Sequence, residues 1–288
     1  MDGFLIINKP LGYTSRDVVN KVGKYLNTRK IGHTGTLDPK ASGVMILALG
    51  KALKMCELMS NHDKEYIAEV ILGIETDTLD MDTNATILKE VDVKIGDNAI
   101  KEAVDCFNGT YMQTVPKYSA IKVSGRKLFE YARSNTPVEV PKKEVTINDI
   151  SIISEISHRD NKVYFTIKCN VSKGTYIRSL VRDIGDKLGY PAVINSLTRT
   201  KQGIFSIDDS YTLSDIENNN YKLISITKAF PNISTVTVDI NMAKKVKNGV
   251  VLDKFFDDEL AFVIDDDDNL LALYENIDNK SRPYKMFI

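Results

Sequence analysis

Gly32-His33-Thr34-Gly35-Thr36-Leu37-Asp38-Pro39-Lys40-Ala41-Ser42-Gly43 is the stretch on which the reading of this chain turns. It sets three glycines, two threonines, a histidine and a carboxylate between two apolar segments. Ile31 ends the first. Val44-Met45-Ile46-Leu47-Ala48-Leu49 is the second, apolar throughout and stopped by Gly50, the pattern of a buried strand. Glycine at this density permits left-handed or tight backbone and the close approach of a ligand. Pro39 biases Asp38 toward extended geometry and removes one backbone donor. The expectation is a carboxylate on a stiff loop against a hydrophobic wall. An ordinary Asx-Pro turn carries the same pair, so the rest of the chain has to decide.

Upstream, Phe4 to Asn8 is predicted as a first strand and Lys9-Pro10-Leu11-Gly12 as a turn. Thr14-Ser15-Arg16-Asp17 fits a capping box, and Val18, Val22, Tyr25 and Leu26 share one face of the helix that follows. Downstream, Ala52 to Met59 suggests a helix ending near Ser60-Asn61. In Lys64 to Leu72, Tyr66, Ala68, Val70 and Leu72 fall on one side of a strand. Residues 74–95 form a polar, carboxylate-rich loop around Thr76-Asp77-Thr78-Leu79-Asp80-Met81-Asp82-Thr83-Asn84. It lacks the spaced glycine and closing glutamate of an EF-hand. Asp97 can cap a helix reaching about Phe107.

Residues 111–143 interleave Lys117, Lys122, Arg126, Lys127, Arg133, Lys142 and Lys143 with Tyr111, Tyr118, Phe129 and Tyr131. That mixture suits phosphate contact plus base stacking, although a solvated hairpin and helix would read alike. Glu144 to Ile156 and Val163 to Val171 are predicted as long paired strands. A helix carrying Ile177, Leu180, Val181, Ile184 and Leu188 ends at Gly189. Residues 193–207 return as one or two strands. A boundary is expected near Pro231-Asn232. Short strands beyond it suggest a small β-barrel or sandwich, with Asp265 to Asn269 a hairpin tip.

The composition narrows the class. The chain has 288 residues, 43% hydrophobic and 27% charged, enough for a substantial core. No apolar run reaches the roughly 18–20 residues of a membrane span. The N-terminal apolar run is too short for a signal peptide, so a cytoplasmic protein is expected. Cys56, Cys106 and Cys169 lack paired spacing, and His33, His62 and His158 are scattered. Reduced thiols and no metal cluster follow. Net charge is −1, yet residues 208–288 hold 9 basic and 15 acidic residues, which leaves the first 207 at +5. A mildly basic body can hold a nucleic acid locally.

These residues together resemble the bacterial tRNA pseudouridine synthases of the TruB family. The matching motifs run in order: Asn8-Lys9-Pro10; Gly32 through Pro39 with Ser42-Gly43; Lys64-Glu65-Tyr66; Thr76-Asp77-Thr78 with Asp80; Val115-Pro116 through Lys127-Leu128 and Tyr131-Ala132-Arg133; Gly174-Thr175-Tyr176-Ile177-Arg178; and Leu197 before Arg199. They span nearly the whole chain, and the Gly-His-Thr-Gly-Thr-Leu-Asp-Pro string is highly specific.

The resemblance implies an α+β fold. Its central sheet would be mixed but mainly antiparallel, with flanking helices over residues 1–232 and an RNA-binding flap at about 111–143. A small PUA-like β-barrel would occupy 233–288. It implies isomerisation of the T-loop uridine 55 of tRNA to pseudouridine, after base flipping. Asp38 would be the catalytic carboxylate, paired with Arg178, which the family also links to Asp80. Tyr66 would stack on the base and serve as a candidate base for the sugar proton, and Leu197 would pack beneath it. His33 would fill the flipped nucleotide's place. Lys9, Tyr176, Lys122, Arg126 and Lys127 would contact substrate. No cofactor, metal, membrane or guide RNA is expected, and a monomer is. Three other classes fit the sequence less well. In an aspartyl-phosphate ATPase the Asp precedes Thr-Gly-Thr, whereas here it follows. A non-catalytic tRNA chaperone would not need every catalytic position. A guide-directed, dyskerin-type relative carries longer basic extensions.

Overall fold

The computed structural model describes residues 1–81 and 86–288. Strands β1 (Gly3–Lys9), β2 (Ile31–His33), β3 (Ala41–Leu49), β4 (Lys64–Leu72), β5 (Gly109–Thr114), β6 (Lys142–Ile152), β7 (Lys162–Val171) and β8 (Ala192–Gln202) build the main sheet. Its order is β1-β3-β8-β4-β7-β6-β5, with β2 added beside β3. Only β3 and β8 run parallel among the pairs of that order, with Leu197 opposite Ala41 and Arg199 opposite Gly43. The expected mixed, mainly antiparallel sheet is therefore present.

The apolar run before Gly50 is continuous because β3 is covered on both faces. Met45, Leu47 and Leu49, with Leu5 and Ile7 of β1, pack toward helices α1 (Ser15–Tyr25), α2 (Asp97–Asp105) and α3 (Ile177–Leu188). Val44, Ile46 and Ala48, with Phe4 and Ile6, pack the other way, against Met55, Phe205 and Phe230. α1 starts where the capping box requires: Thr14 accepts from Asp17 N, and the Asp17 carboxylate accepts from Thr14 N at 2.9 Å. α3 ends on Gly189 at φ 77°, the left-handed cap that glycine adopts most cheaply. The helix expected over 52–60 is a 3₁₀ stretch, Gly50–Met55, followed by one short α-helical segment, Cys56–Ser60.

Toward the C-terminus, β9 (Ser234–Val238), β10 (Leu252–Asp253), β11 (Leu260–Asp265), β12 (Leu270–Ile277) and β13 (Lys280–Met286) form one open sheet in the order β9-β11-β12-β13-β10. Strands alone were expected here, but Ile240–Lys247 is a helix, α4. β9 and β11 are parallel, and a parallel pair needs a crossover, which α4 helps to supply. Asp239 caps it, and Ala243 and Val246 face inward. Phe262, Leu273 and Phe287 of this region join the same apolar cluster as Phe4 and Phe230.

Candidate active site

The loop between β2 and β3 is held from several sides. Thr34 is buried; its N–H donates to Ile46 O at 3.1 Å and its hydroxyl accepts from Gln202 Nε2 at 3.0 Å. Ser15 at the start of α1 both accepts from Leu37 N (2.9 Å) and donates to Leu37 O (3.1 Å). Gly12 N donates to Pro39 O at 2.8 Å, and Ala41 N to Asp38 O at 3.0 Å. Of the loop's three glycines, only Gly43 has positive φ, at 101°. A Cβ there would sit 2.2 Å from Arg199 O on the adjacent parallel strand. Arg199 is fully buried beneath the loop and donates to Val44 O at 2.6 Å and Gly35 O at 3.3 Å.

Asp38 is half-buried on this stiff loop, between the buried Leu37 and the exposed Pro39, with its side chain 42% accessible. Arg178, in the first turn of α3, approaches it with Nη2 at 2.8 Å from Oδ2. The rest of the guanidinium is oriented by two backbone carbonyls: Nη1 donates to Thr78 O at 3.1 Å and Nη2 to Tyr118 O at 3.0 Å. A planar fork fixed by two neutral acceptors and one carboxylate holds the carboxylate aimed. The start of α3 is itself anchored by Gln113, whose side chain accepts from Tyr176 N (2.8 Å) and donates to Tyr176 O (3.1 Å). Ser179 donates to Thr114 O at 2.8 Å, a second tie to β5.

Asp38, Arg178, Asp80 and Leu197 line one small cleft, closed by Lys40, Ala41, Met81 and Ile194. Asp80 accepts from Thr78 Oγ1 at 2.6 Å, and its backbone bridges to Ile194 of β8. Asp82, Thr83 and Asn84, further along the expected carboxylate-rich loop, lie outside the described residues. The parallel register sets Leu197 opposite Ala41, three residues after Asp38.

The remaining expected residues are not among those that line this cleft. Tyr66 is buried on β4, opposite Arg199 and Cys169. His33 is half-buried at the end of β2; burial first, then Arg16 and Arg199, hold its imidazole below the usual range, so it is neutral at pH 7. Its Nδ1 is buried without a partner. Tyr176 precedes α3, its hydroxyl pushed up by burial. Lys9 was expected against substrate, yet it is fully buried. Its ammonium donates to Tyr13 O (2.6 Å), Pro10 O (3.0 Å) and Pro39 O (3.4 Å), bracing the loop from behind. Burial brings it down to about 8, against the pull of Asp38.

Lys122, Arg126 and Lys127 lie on the segment between β5 and β6. Lys122 is exposed, but Arg126 donates to Glu130 O and Ser134 Oγ, both at 2.8 Å, and lies 4.7 Å over the Tyr131 ring. Lys127 and Arg133 both sit over Phe129, so ring faces expected to stack on bases are covered by the segment's own cations. Gln113, Gln202 and the Thr78 and Tyr118 carbonyls have no counterpart among the residues expected from sequence. Among the described residues no group of three or more His, Cys, Asp or Glu is placed to hold a metal ion.

Comparison with known proteins agrees with the motifs. Residues 23–177 match the N-terminal domain of the TruB family pseudouridylate synthases, and residues 178–225 match the tRNA pseudouridylate synthase B C-terminal domain. The tRNA pseudouridine synthase B of Bacillus licheniformis is 42% identical over 88% of this chain and 84% of its own. That of a Staphylococcus aureus strain is 38% identical over 99% of both. Among solved structures, a chain of a Cbf5–Nop10–Gar1 complex superposes with TM-score 0.71 at 24% identity, covering 99% of this chain and 85% of that one. A chain of an H/ACA RNP bound to a substrate RNA gives 0.70 at 23%, with the same coverage. These structural likenesses establish the pseudouridine synthase fold. The sequence matches go further, and the chain belongs to the TruB family of pseudouridylate synthases.

Proposed function

We propose that this protein isomerises uridine 55 in the T-loop of tRNA to pseudouridine. The observation that carries the reading is the Asp38–Arg178 pair at 2.8 Å, at the mouth of a cleft shared with Asp80 and Leu197. The reaction breaks the N1–C1′ bond, rotates the base and forms C5–C1′, while the C5 proton leaves and N1 gains one. Atoms and electrons balance without redox partner, phosphate energy or cofactor. An ionised carboxylate serves this chemistry as nucleophile or as counter-charge to a sugar cation, and Arg178 holds it in place in either case. Tyr66 stacks on the flipped base and, in an elimination route, is the candidate base that takes the sugar C2′ proton and returns it as the C5–C1′ bond forms; Leu197 packs beneath the base, and Asp80 and Tyr176 line the approach. His33, neutral, takes the position the uridine leaves. Lys9 acts by bracing Pro39. Lys122, Arg126 and Lys127, on the 111–143 flap, contact the RNA backbone. Residues 233–288 are a PUA-like unit that helps position tRNA through Lys244, Lys245 and Lys247. The enzyme works as a cytoplasmic monomer without guide RNA.

Incubation with unmodified tRNA, followed by carbodiimide mapping, tests the reading. Wild type gives a pseudouridine stop at the T-loop uridine. Asp38→Asn, nearly isosteric but uncharged, binds tRNA and lowers turnover by roughly a thousandfold or more. A variant within tenfold of wild type would remove Asp38 from the chemistry.

A further inference from the structure

We infer that the exposed face of α1 and the turn after it form a groove for the phosphodiester backbone of the RNA whose uridine enters the Asp38 cleft; this rests on the proposed tRNA reading. The groove is lined by Arg16, Asn20, Lys24, Asn27, Thr28 and Arg29, with no carboxylate among its lining residues. Arg16, Lys24 and Arg29 are exposed, and none forms an ion pair among the described residues. From Thr14 to Ile31 the chain carries five cations and one acid, Asp17. That acid is committed to the Thr14 amide and hydroxyl, at 2.9 and 2.6 Å.

A solvated helix face is the ordinary alternative, and here other surface cations give the contrast. Lys168 pairs with Glu65, Lys280 with Asp253 and Arg282 with Glu275, each at 3.2 Å or less. Three unpaired cations alongside uncharged amide and hydroxyl donors suit phosphate oxygens.

Position gives the second argument. Ser15, next to Arg16, is bonded to Leu37, the residue before Asp38. Arg16 is also near enough to His33 to act on its imidazole electrostatically. α1 packs at the β1/β3 end of the main sheet, whereas the flap springs from β5 and β6 at the other end. The loop bearing Asp38 lies between them. An RNA whose base is drawn out toward Asp38 must continue on both sides of the flipped nucleotide, and α1 supplies a basic surface on the side the flap does not reach.

The test compares Arg16→Ala/Lys24→Ala/Arg29→Ala with a control, Lys187→Ala/Lys222→Ala/Lys228→Ala, which removes equal charge elsewhere. Affinity for unmodified tRNA is measured across a salt series, with thermal melts of each protein. The groove variant is expected to bind about tenfold more weakly and to lose about 2 units of salt slope, at roughly 0.7 per phosphate contact. The control keeps wild-type affinity and slope. Lys24→Gln alone repeats the effect at about a third of the slope change, should the triple variant melt early. Unchanged affinity and slope in the groove variants, or an equal loss in the control, would overturn the groove. Because slope is read from binding, a wild type that binds but makes no pseudouridine sinks the isomerase reading and leaves the groove standing. Turnover with unaltered slope sinks the groove alone.

Discussion

The loop carrying Asp38 and the segment carrying Lys122, which holds a short hairpin and a helix at Leu128–Arg133, both meet Arg178, yet they are built in opposite ways. The Asp38 loop makes few bonds to itself. Ser15 of α1, Gln202 of β8, Gly12 and Lys9 hold it from outside, and Arg199 fills the space below. The 115–141 segment is largely self-contained: Arg126 bonds Glu130 and Ser134, Tyr131 bonds Val123 O, and its cations lie on its own rings. It is tied to the body mainly at its root, where Tyr118 O accepts from Arg178 and Tyr118 Oη donates to Asp77 at 3.4 Å. A group that must be aimed to fractions of an ångström is pinned by many elements. The 115–141 segment, by contrast, is stitched mainly within itself.

Arg178 joins the two regions, so its substitution breaks the comparison most severely. Arg178→Lys keeps the charge but cannot hold Asp38, Thr78 O and Tyr118 O together from one planar fork. The expected loss in kcat is about a hundredfold, with tRNA affinity within a few-fold of wild type. Single-turnover rates alongside filter binding separate these quantities. A fully active lysine variant would reduce Arg178 to a charge near the cleft.

The flap gives the complementary outcome. Lys117→Gln/Lys122→Gln/Lys127→Gln removes three cations from a segment that does not support the Asp38 loop. Affinity for tRNA should fall with about 2 units less salt slope, at roughly 0.7 per contact, while the melting temperature stays put. A lower melting temperature with unchanged slope would make the segment part of the core instead.

Much of this division was legible in the sequence because it rests on local signals. The Thr14–Asp17 capping box, the Gly189 stop, the apolar run 44–49 and the alternation of Val163 to Val171 each became the expected element. Asp38, Arg178, Asp80 and Leu197 met in one cleft. What was hidden depends on partners distant in sequence. The acceptors that aim Arg178 are the carbonyls of Thr78 and Tyr118, and a carbonyl has no residue-type signature. Gln113 and Gln202 read as ordinary polar residues until β5 and β8 place them under α3 and the loop. Lys9 reads as a surface lysine, because only folding brings Pro10, Tyr13 and Pro39 carbonyls around its ammonium. α4 was masked by its lysines and by the neighbouring strands.

Lys9 provides the smallest and sharpest test of a loop pinned from behind. Burial lowers its folded pKa to about 8, from an ordinary value of 10.5. Below pH 8 both folded and unfolded chains hold the proton, and the folded state bears the full cost of a buried ammonium. Between about 8 and 10.5 the unfolded chain still holds a proton that the folded chain has released, so this group's contribution to stability rises with pH. Cys169, pushed up to about 12 by burial, acts with the opposite sign above pH 9, and burial lowers Lys64 as it does Lys9. Both effects cancel when wild type is compared with Lys9→Met at each pH. The wild type should gain about 1 kcal/mol over the variant between pH 7 and pH 9, measured by urea unfolding. A flat difference for Lys9→Met would mean that its ammonium titrates as it does in water and that the loop rests on Ser15, Gln202 and Gly12 alone.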